Sequence, residues 1–177
     1  MDPSRITIRP FKLSDIDDVM IWGSDEKVVQ YTKLHPFISK EDGLKFLKEE
    51  AIANPCRRSI CIDDHSIGMI TTYPIESSDE HVHDRFIGYT IATQYWGQGI
   101  MTTALNLALN TWVLKEYPEM EKLHGFVVPE NKASARVLEK VGFVKEGLIK
   151  NHSVLKGVTL DVVSYCFTCT TKSVLES

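Results

Sequence analysis

The chain has 177 residues, of which 43% are hydrophobic and 25% are charged, and its formal net charge is −4. This length suits one domain with a sizeable core, and the composition is that of an ordinary globular protein. The mildly acidic balance and the lack of a basic stripe argue against nucleic acid as a main partner.

Neither a membrane span nor a secretory leader is expected. No apolar run approaches 18 residues, and the opening Met1-Asp2-Pro3-Ser4-Arg5 has neither a signal-peptide core nor a transit-peptide composition. We therefore expect the protein in the cytoplasm, with access to the nucleus. We also expect no metal, because the Cys166-x-x-Cys169 motif has no second pair and the four cysteines do not form a secreted framework.

The first third of the chain predicts one strand and two helices. Residues 5–9 alternate in polarity as a strand does. Ser14 with Asp17, and Ser39 with Asp42, both have the spacing of a helix N-cap and its reciprocal acid, so a helix should begin at each serine. Residues 24–37 form a looser connection between the two helices.

The next segments predict three strands and a long helix. Residues 59–62 and 67–73 read as a hairpin around Asp63 and Asp64. A polar loop over residues 76–84 leads to a strand at 86–92. The turn Gly97-x-Gly99 follows, and a helix is indicated by the apolar spacing of Met101, Ala104, Leu105, Ala108, Leu109 and Trp112.

The turn between this strand and this helix could hold a diphosphate. The first turn of a helix has backbone N–H groups without partners, and glycines let a phosphate approach them closely. The spacing Gly97-x-Gly99 is not a dinucleotide fingerprint, since Thr102 stands where the third glycine would be. The alternative is a tight turn that binds nothing.

The last third predicts a strand, a helix and two more strands. The strand covers residues 122–128, and the helix begins at Asn131 and ends at Gly142. Two strands follow, joined by a turn near Lys156 and Gly157. The overall order predicts an α/β sandwich with a mixed sheet rather than a repeated βαβ unit.

Two segments resemble the GCN5-related N-acetyltransferases (GNAT). YWGQGIMTTAL is similar to the pyrophosphate-binding loop of that family, and NKASARVLEKVGF is similar to its fourth conserved segment. The pair is most like the RimJ/RimL branch, which acetylates protein N-terminal amines. The resemblance implies one N-acetyltransferase domain over residues 1–177, with a core at about 5–169. It implies a mixed, mostly antiparallel sheet of about seven strands and four main helices.

The resemblance also implies a co-substrate, acetyl-CoA. It implies that residues 30–37 contact the substrate, and an exposed surface connection is the alternative. In the family the two strands matching residues 86–92 and 122–128 part, so that the pantetheine arm lies between them. The cofactor-binding residues implied in this way are Ile91, Gly97, Gln98, Gly99, Ile100, Met101, Thr102, Asn131 and Ser134. A helix cap is the alternative role of Asn131.

The resemblance specifies the catalytic residues less closely than the cofactor-binding residues. Many family members carry a tyrosine, the acid for the departing thiolate, where this chain has Leu138. The resemblance instead points to Ser134, one turn earlier, with small-residue packing as its alternative role. Candidates for the base or for orienting water are Glu80, Asp84 and Tyr89.

Together these features predict an enzyme that transfers an acetyl group from acetyl-CoA to a primary amine by direct attack. The amine belongs to a protein N-terminus or a small molecule, and the protein is a monomer or a homodimer. One alternative is a catalytically inactive acyl-CoA-binding or regulatory module on the same fold. Another is a nucleotide-binding protein that uses the Gly97 turn.

Overall fold

A computed structural model describes residues 2–75 and 83–169. Its strands all belong to one sheet, in the spatial order β1-β2-β3-β4-β5-β7-β6. Their bounds are β1 Ile6–Arg9, β2 Arg57–Ile62, β3 His65–Pro74, β4 Arg85–Ile91, β5 Lys122–Val127, β6 Val144–Leu155 and β7 Val158–Thr168. Neighbouring strands are antiparallel except β4 and β5, which run parallel. The prediction of a mixed, mostly antiparallel sheet of seven strands is confirmed.

Helices cover both faces of this sheet. Their bounds are α1 Ile16–Gly23, α2 Glu26–Val29, α3 Lys40–Lys45, α4 Ile100–Ala108, α5 Leu114–Glu116 and α6 Lys132–Val141. A π-helical segment extends α3 to Ile52, and another joins α4 to α5. None of the helices in residues 2–75 and 83–169 is both long and apolar enough to cross a bilayer.

Two apolar clusters hold the helices to the sheet. The larger one lies under α4 and α6 and includes Leu105, Leu123 and Leu138. The smaller one lies under α1 and α3 and is built around Trp22 and Phe46, whose rings meet edge to face at 6.0 Å. The sheet is therefore buried on both faces over most of its first four strands.

Most of the predicted element ends are confirmed. Asp63 and Asp64 both have positive φ, as a two-residue hairpin turn requires. The Ser39 hydroxyl accepts the Asp42 N–H at 3.2 Å, and the Asp42 carboxylate accepts the Ser39 N–H at 3.0 Å. Gly142 ends α6 with a φ of 102°.

The predicted helix start at Ser14 is wrong. The Asp15 carboxylate instead accepts the Lys12 N–H at 2.8 Å, and a 3₁₀ turn over Leu13–Asp15 precedes α1. Asp15 is only 3% exposed and pairs with Arg9 at 2.8 Å. The buried ion pair fixes the local chain around Asp15, so Ser14 is left on the surface.

Gly68 allows β3 and β4 to approach each other closely. A Cβ at Gly68 would lie 2.2 Å from the Thr90 carbonyl oxygen and 2.8 Å from Ile91 Cα. We expect Gly68→Ala to lower the free energy of unfolding by about 1–3 kcal/mol, because backbone must shift to admit the methyl group. Urea unfolding with linear extrapolation measures this change.

Gly147→Ala is the matched control, since a Cβ at Gly147 meets nothing within 4 Å. That variant should stay within about 0.5 kcal/mol of the parent protein. Equal stabilities of the two variants would contradict the close approach of β3 and β4.

Candidate functional site

The parallel strands β4 and β5 part soon after they meet. They are paired at only two positions, Arg85 with Leu123 and Phe86 with His124. β4 continues to Ile91, so its five residues from Ile87 onward face a seam of roughly 16 Å that β5 does not fill. This is the open seam that the family resemblance implies.

Backbone groups of β4 point into this seam. The Ala92 N–H donates to the Ile67 carbonyl of the β3 side at 2.8 Å. Bonded and non-bonded positions alternate along an antiparallel pair. Thr90 therefore bonds to β3, whereas Tyr89 and Ile91 direct their N–H and C=O groups toward the seam.

The same reasoning applies to β5. The Cys169 N–H donates to the Glu121 carbonyl at 2.9 Å, so odd-numbered residues of β5 bond to β7. Phe126 then directs its backbone groups toward the seam from the opposite side. An extended amide chain placed between the strands would find donors and acceptors on both.

The seam ends at a mouth formed by Gly97, Gly99 and the start of α4. Both glycines have positive φ, 73° and 76°, and a Cβ on either would meet nothing within 4 Å. The backbone therefore faces open space at the N-terminus of a nine-residue helix. Ile100 and Met101 bury their side chains in the core, so that only their N–H groups are offered at this end.

Trp96 has a role at the mouth that the sequence did not indicate. Its indole Nε1 donates to the Ile91 carbonyl at 2.8 Å, and the side chain is 49% exposed. A carbonyl oxygen has a second lone pair, so Ile91 keeps an acceptor and an N–H for a ligand. The sequence signal that could have indicated this role is the position of Trp96 directly before the glycine turn.

The first turn of α6 forms the opposite side of the seam. The Asn131 side chain caps the helix by accepting the Ser134 N–H at 3.1 Å. Tyr89 crosses the seam, and its hydroxyl donates to the Ser134 carbonyl at 2.9 Å. Burial raises the pKa of Tyr89, so this phenol remains protonated and acts as a donor. Within the described residues, no hydrogen bond engages the Ser134 hydroxyl.

An open groove of about 2190 Å³ connects the mouth, the seam and the segment after α2. The predicted cofactor-binding residues that line it are Ile91, Gly97, Gly99, Ile100, Met101, Thr102, Asn131 and Ser134. Gln98 lies beside the mouth with an exposed side chain whose amide donates to the Gln94 carbonyl at 2.7 Å. The groove is also lined by residues 30–37, for which two roles were considered, substrate contact and an exposed surface connection.

The candidate bases are not all brought to this groove. Glu80 lies outside the described residues. Asp84 stands before β4 at the closed end of the seam, roughly 20 Å along the strand from Ile91. It is 4% exposed and accepts the Lys122 N–H at 3.1 Å, which joins the starts of β4 and β5. Of the two candidates that the structure describes, Tyr89 lies beside Ser134 and Asp84 does not.

One cluster could hold a metal, although no metal was expected. His124, Glu146 and Cys166 bring ligand atoms within 4.8 Å of one another. They come from three different strands, which is why sequence spacing did not reveal them. Burial raises the pKa of the Cys166 thiol, which works against the thiolate that a metal prefers. The cluster lies near Asp84, away from the glycine mouth.

Comparisons with known proteins identify the family. The family model described as "Acetyltransferase (GNAT) domain" matches residues 5–144, which is well over half of the chain. An uncharacterized N-acetyltransferase, p20, of Bacillus licheniformis is 24% identical over 91% of both chains. The ribosomal protein uS5-alanine N-acetyltransferase of Escherichia coli is 30% identical over 46% of this chain and 41% of its own.

A solved structure shows the same fold. The Microcin C7 self-immunity acetyltransferase MccE, in complex with acetyl-CoA and AMP, superposes with a TM-score of 0.74 and 19% identity over 93% of both chains. The family match over most of the chain and the shared fold lead to one conclusion. This chain belongs to the GNAT family and is an N-acetyltransferase.

Proposed function

We propose that this chain, acting as one domain, transfers the acetyl group of acetyl-CoA to a primary amine by direct attack within a ternary complex. The amine belongs to a protein N-terminus or to a small molecule. The observation that carries the proposal is the seam between β4 and β5, because it ends at the two open glycines Gly97 and Gly99.

The mouth suits the diphosphate of acetyl-CoA. Backbone N–H groups form charge-assisted hydrogen bonds with phosphate oxygens, and the positive end of the α4 dipole adds to the attraction. Thr102 lines the groove in the first turn of α4 and can add a hydroxyl. The residues assigned to the diphosphate are Gly97, Gln98, Gly99, Ile100, Met101 and Thr102.

The seam suits the pantetheine arm. Its amides would pair with the backbone of Tyr89 and Ile91 on one side and of Phe126 on the other. Asn131 both caps α6 and lines the groove, so the two roles considered for it are compatible. With the phosphates at the mouth, the thioester lies deeper in the seam, toward Ser134 and the closed end.

The reaction then forms one bond and breaks another. The neutral amine nitrogen attacks the thioester carbonyl carbon, and a C–N bond forms as the C–S bond breaks. Ser134 donates a hydrogen bond to the sulfur as negative charge develops there, and the proton that the amine loses balances the thiolate. Tyr89 holds the Ser134 carbonyl and thereby positions the hydroxyl.

A strong base is not required for every acceptor. An N-terminal α-amine has a pKa near 8, so a useful fraction is neutral at physiological pH, whereas lysine at about 10.4 needs more help. Tyr89 is unsuited to this task because burial raises its pKa. We therefore assign Tyr89 to positioning and leave proton removal to water, and Asp84 has no part in the proposed reaction.

The alternative is an acyl-CoA-binding module without catalysis. Leu138, at the position where many family members carry a tyrosine, is 1% exposed and packs against Gly125. Leu138 therefore belongs to the core and cannot donate a proton to the departing thiolate. In the proposed enzyme, Ser134 is then the side chain that assists the departure of the thiolate.

Thiol release separates the enzyme from the binding module. We expect free CoA to appear from acetyl-CoA only when a mixture of primary amines is added, because acyl transfer needs an acceptor. A thermal shift with acetyl-CoA, but no thiol release with any amine, would support the module instead. Stronger stabilisation by ATP or NAD than by CoA would favour a nucleotide-binding protein.

The glycine mouth can be tested by Gly99→Ala. We expect the Kd for acetyl-CoA to rise about 10- to 100-fold, since a methyl group intrudes where phosphate approaches the backbone and charged hydrogen bonds are lost. Tryptophan fluorescence can follow binding, because Trp96 is 49% exposed at the mouth, whereas Trp22 and Trp112 are 1% and 7% exposed.

Gly157→Ala is the matched control. Gly157 also has a positive φ, 82°, with nothing within 4 Å of a Cβ, so it carries similar backbone strain outside the groove. Its Kd for acetyl-CoA should match that of the parent protein. Equal weakening by both variants would contradict a phosphate site at Gly99.

The role of Ser134 is tested by Ser134→Ala. We expect kcat to fall at least about tenfold, with little change in the Kd for acetyl-CoA, because the hydroxyl acts only as sulfur departs. Steady-state thiol release gives kcat, and Ser14→Ala, an exposed serine outside the groove, serves as control. An unchanged kcat would eliminate Ser134 as the donor.

A further inference from the structure

The acceptor end of the groove has an aromatic floor, defined here as Tyr73, Phe86, Phe126 and His152. Tyr73 of β3 and Phe86 of β4 are register partners, with ring centroids 5.5 Å apart. Phe86 and Phe126 of β5 lie 6.0 Å apart, and Phe126 and His152 of β6 lie 4.4 Å apart. All four line the groove, and neighbouring rings are tilted by 42° to 56°, so they form a continuous aromatic lining.

The floor lies at the closed end of the seam. Phe86 belongs to the last paired position of β4 and β5. Side chains alternate along a strand, and the face that carries Phe86 also carries Thr90, whose hydroxyl donates to the carbonyl of Val28 in α2. Tyr89 points to the other face, toward Ser134. A group resting on the floor would therefore approach the seam from the side opposite α6, near the proposed place of the acetyl group.

A bulge in β6 brings His152 to the floor. The register of β6 and β7 breaks between Ile149 and Ser153. Asn151 has a φ of 52°, unusual for a residue other than glycine, and its N–H donates to the Asp161 carboxylate at 2.9 Å. Bulges beside active sites often re-aim a side chain, and this one sets the His152 ring against Phe126.

The charges that line the groove argue against an acceptor with several positive charges. Two of the acidic groups are already engaged: Glu50 pairs with Arg57 at 3.1 Å, and Asp42 accepts the Ser39 N–H. Among the described residues on the side of the groove opposite α6, the basic side chains are Lys27, Lys33, Lys45 and Arg57, and the acidic ones are Glu26, Asp42 and Glu50. The described lining on this side therefore offers no surplus of carboxylates that would bind a polycation.

We propose that the acceptor is an amine with a single positive charge in its free form and an aromatic or similarly flat apolar group close to the nitrogen. That group lies on the aromatic floor of Tyr73, Phe86, Phe126 and His152, and the amine faces the thioester. This inference rests on the proposed acetyl transfer. The same chemistry is offered by a free arylalkylamine and by a peptide that begins with an aromatic residue.

An acceptor panel with acetyl-CoA tests the floor. We expect kcat/KM for 2-phenylethylamine to exceed that for n-butylamine about 10- to 100-fold, because a buried phenyl ring adds binding that a short alkyl chain lacks. Spermidine should be poorer than 2-phenylethylamine. The tripeptides Phe-Gly-Gly and Gly-Gly-Gly extend the comparison to N-termini and show which source of the aromatic amine is preferred.

Phe126→Leu links the preference to the floor while keeping an apolar side chain. It should remove most of the advantage of 2-phenylethylamine over n-butylamine, and comparing the two kcat/KM values within the variant cancels any effect on acetyl-CoA binding that both acceptors share. Phe167→Leu is the matched control, because Phe167 is a half-buried strand residue outside the groove. Independently of turnover, 2-phenylethylamine should raise the Tm of the CoA-bound parent protein more than n-butylamine does, and Phe126→Leu should abolish that difference.

The outcomes are distinguishable. Acetylation of n-butylamine or spermidine at least as efficient as that of 2-phenylethylamine would overturn the aromatic acceptor and leave the acetyltransferase proposal intact. A preference unchanged in Phe126→Leu would remove the floor as its cause. Absence of thiol release with every amine would overturn the proposed function, and the acceptor assignment with it.

Discussion

The parting of two parallel strands governs the structure around the site. Backbone N–H and C=O groups are normally paired when they are removed from water, yet those of Tyr89 and Ile91 face a gap that β5 leaves open. Two contacts partly bridge it: the Trp96 indole bonds to the Ile91 carbonyl, and the Tyr89 hydroxyl bonds to the Ser134 carbonyl. The remaining groups are available to an extended amide ligand, which is the form of the pantetheine arm.

Strand alternation lets β4 serve two sites at once. Tyr89 points toward α6, where Ser134 is proposed to meet the departing sulfur, and Phe86 points to the face with the aromatic floor. A register shift of one residue in β4 would turn each of its side chains to the opposite face of the sheet. The close fit of Gly68 against Thr90 and Ile91 fixes the position of β4, so the packing of β3 on β4 and the geometry of the site are linked.

Local sequence patterns predicted most helices and strands. They did not predict the groups of side chains that come together from strands far apart in the chain. The Asp63-Asp64 turn, the Ser39 and Asn131 caps and the glycine mouth depend on neighbours a few residues away, so spacing reveals them. The start of α1 was misplaced because a buried ion pair with Arg9 draws Asp15 into the cap. The floor combines four strands, and His152 reaches it through a bulge with no clear sequence signal.

Amide hydrogen exchange with and without CoA tests the seam most directly. We expect slower exchange, on binding, in peptides that cover residues 87–102 and 124–134, since the ligand would occupy backbone groups of both strands and of the mouth. Peptides from β1 and β2 should be unchanged and serve as an internal reference. If CoA binds while both of these segments exchange as before, or slows only residues elsewhere, the ligand does not lie between β4 and β5, and the account is contradicted.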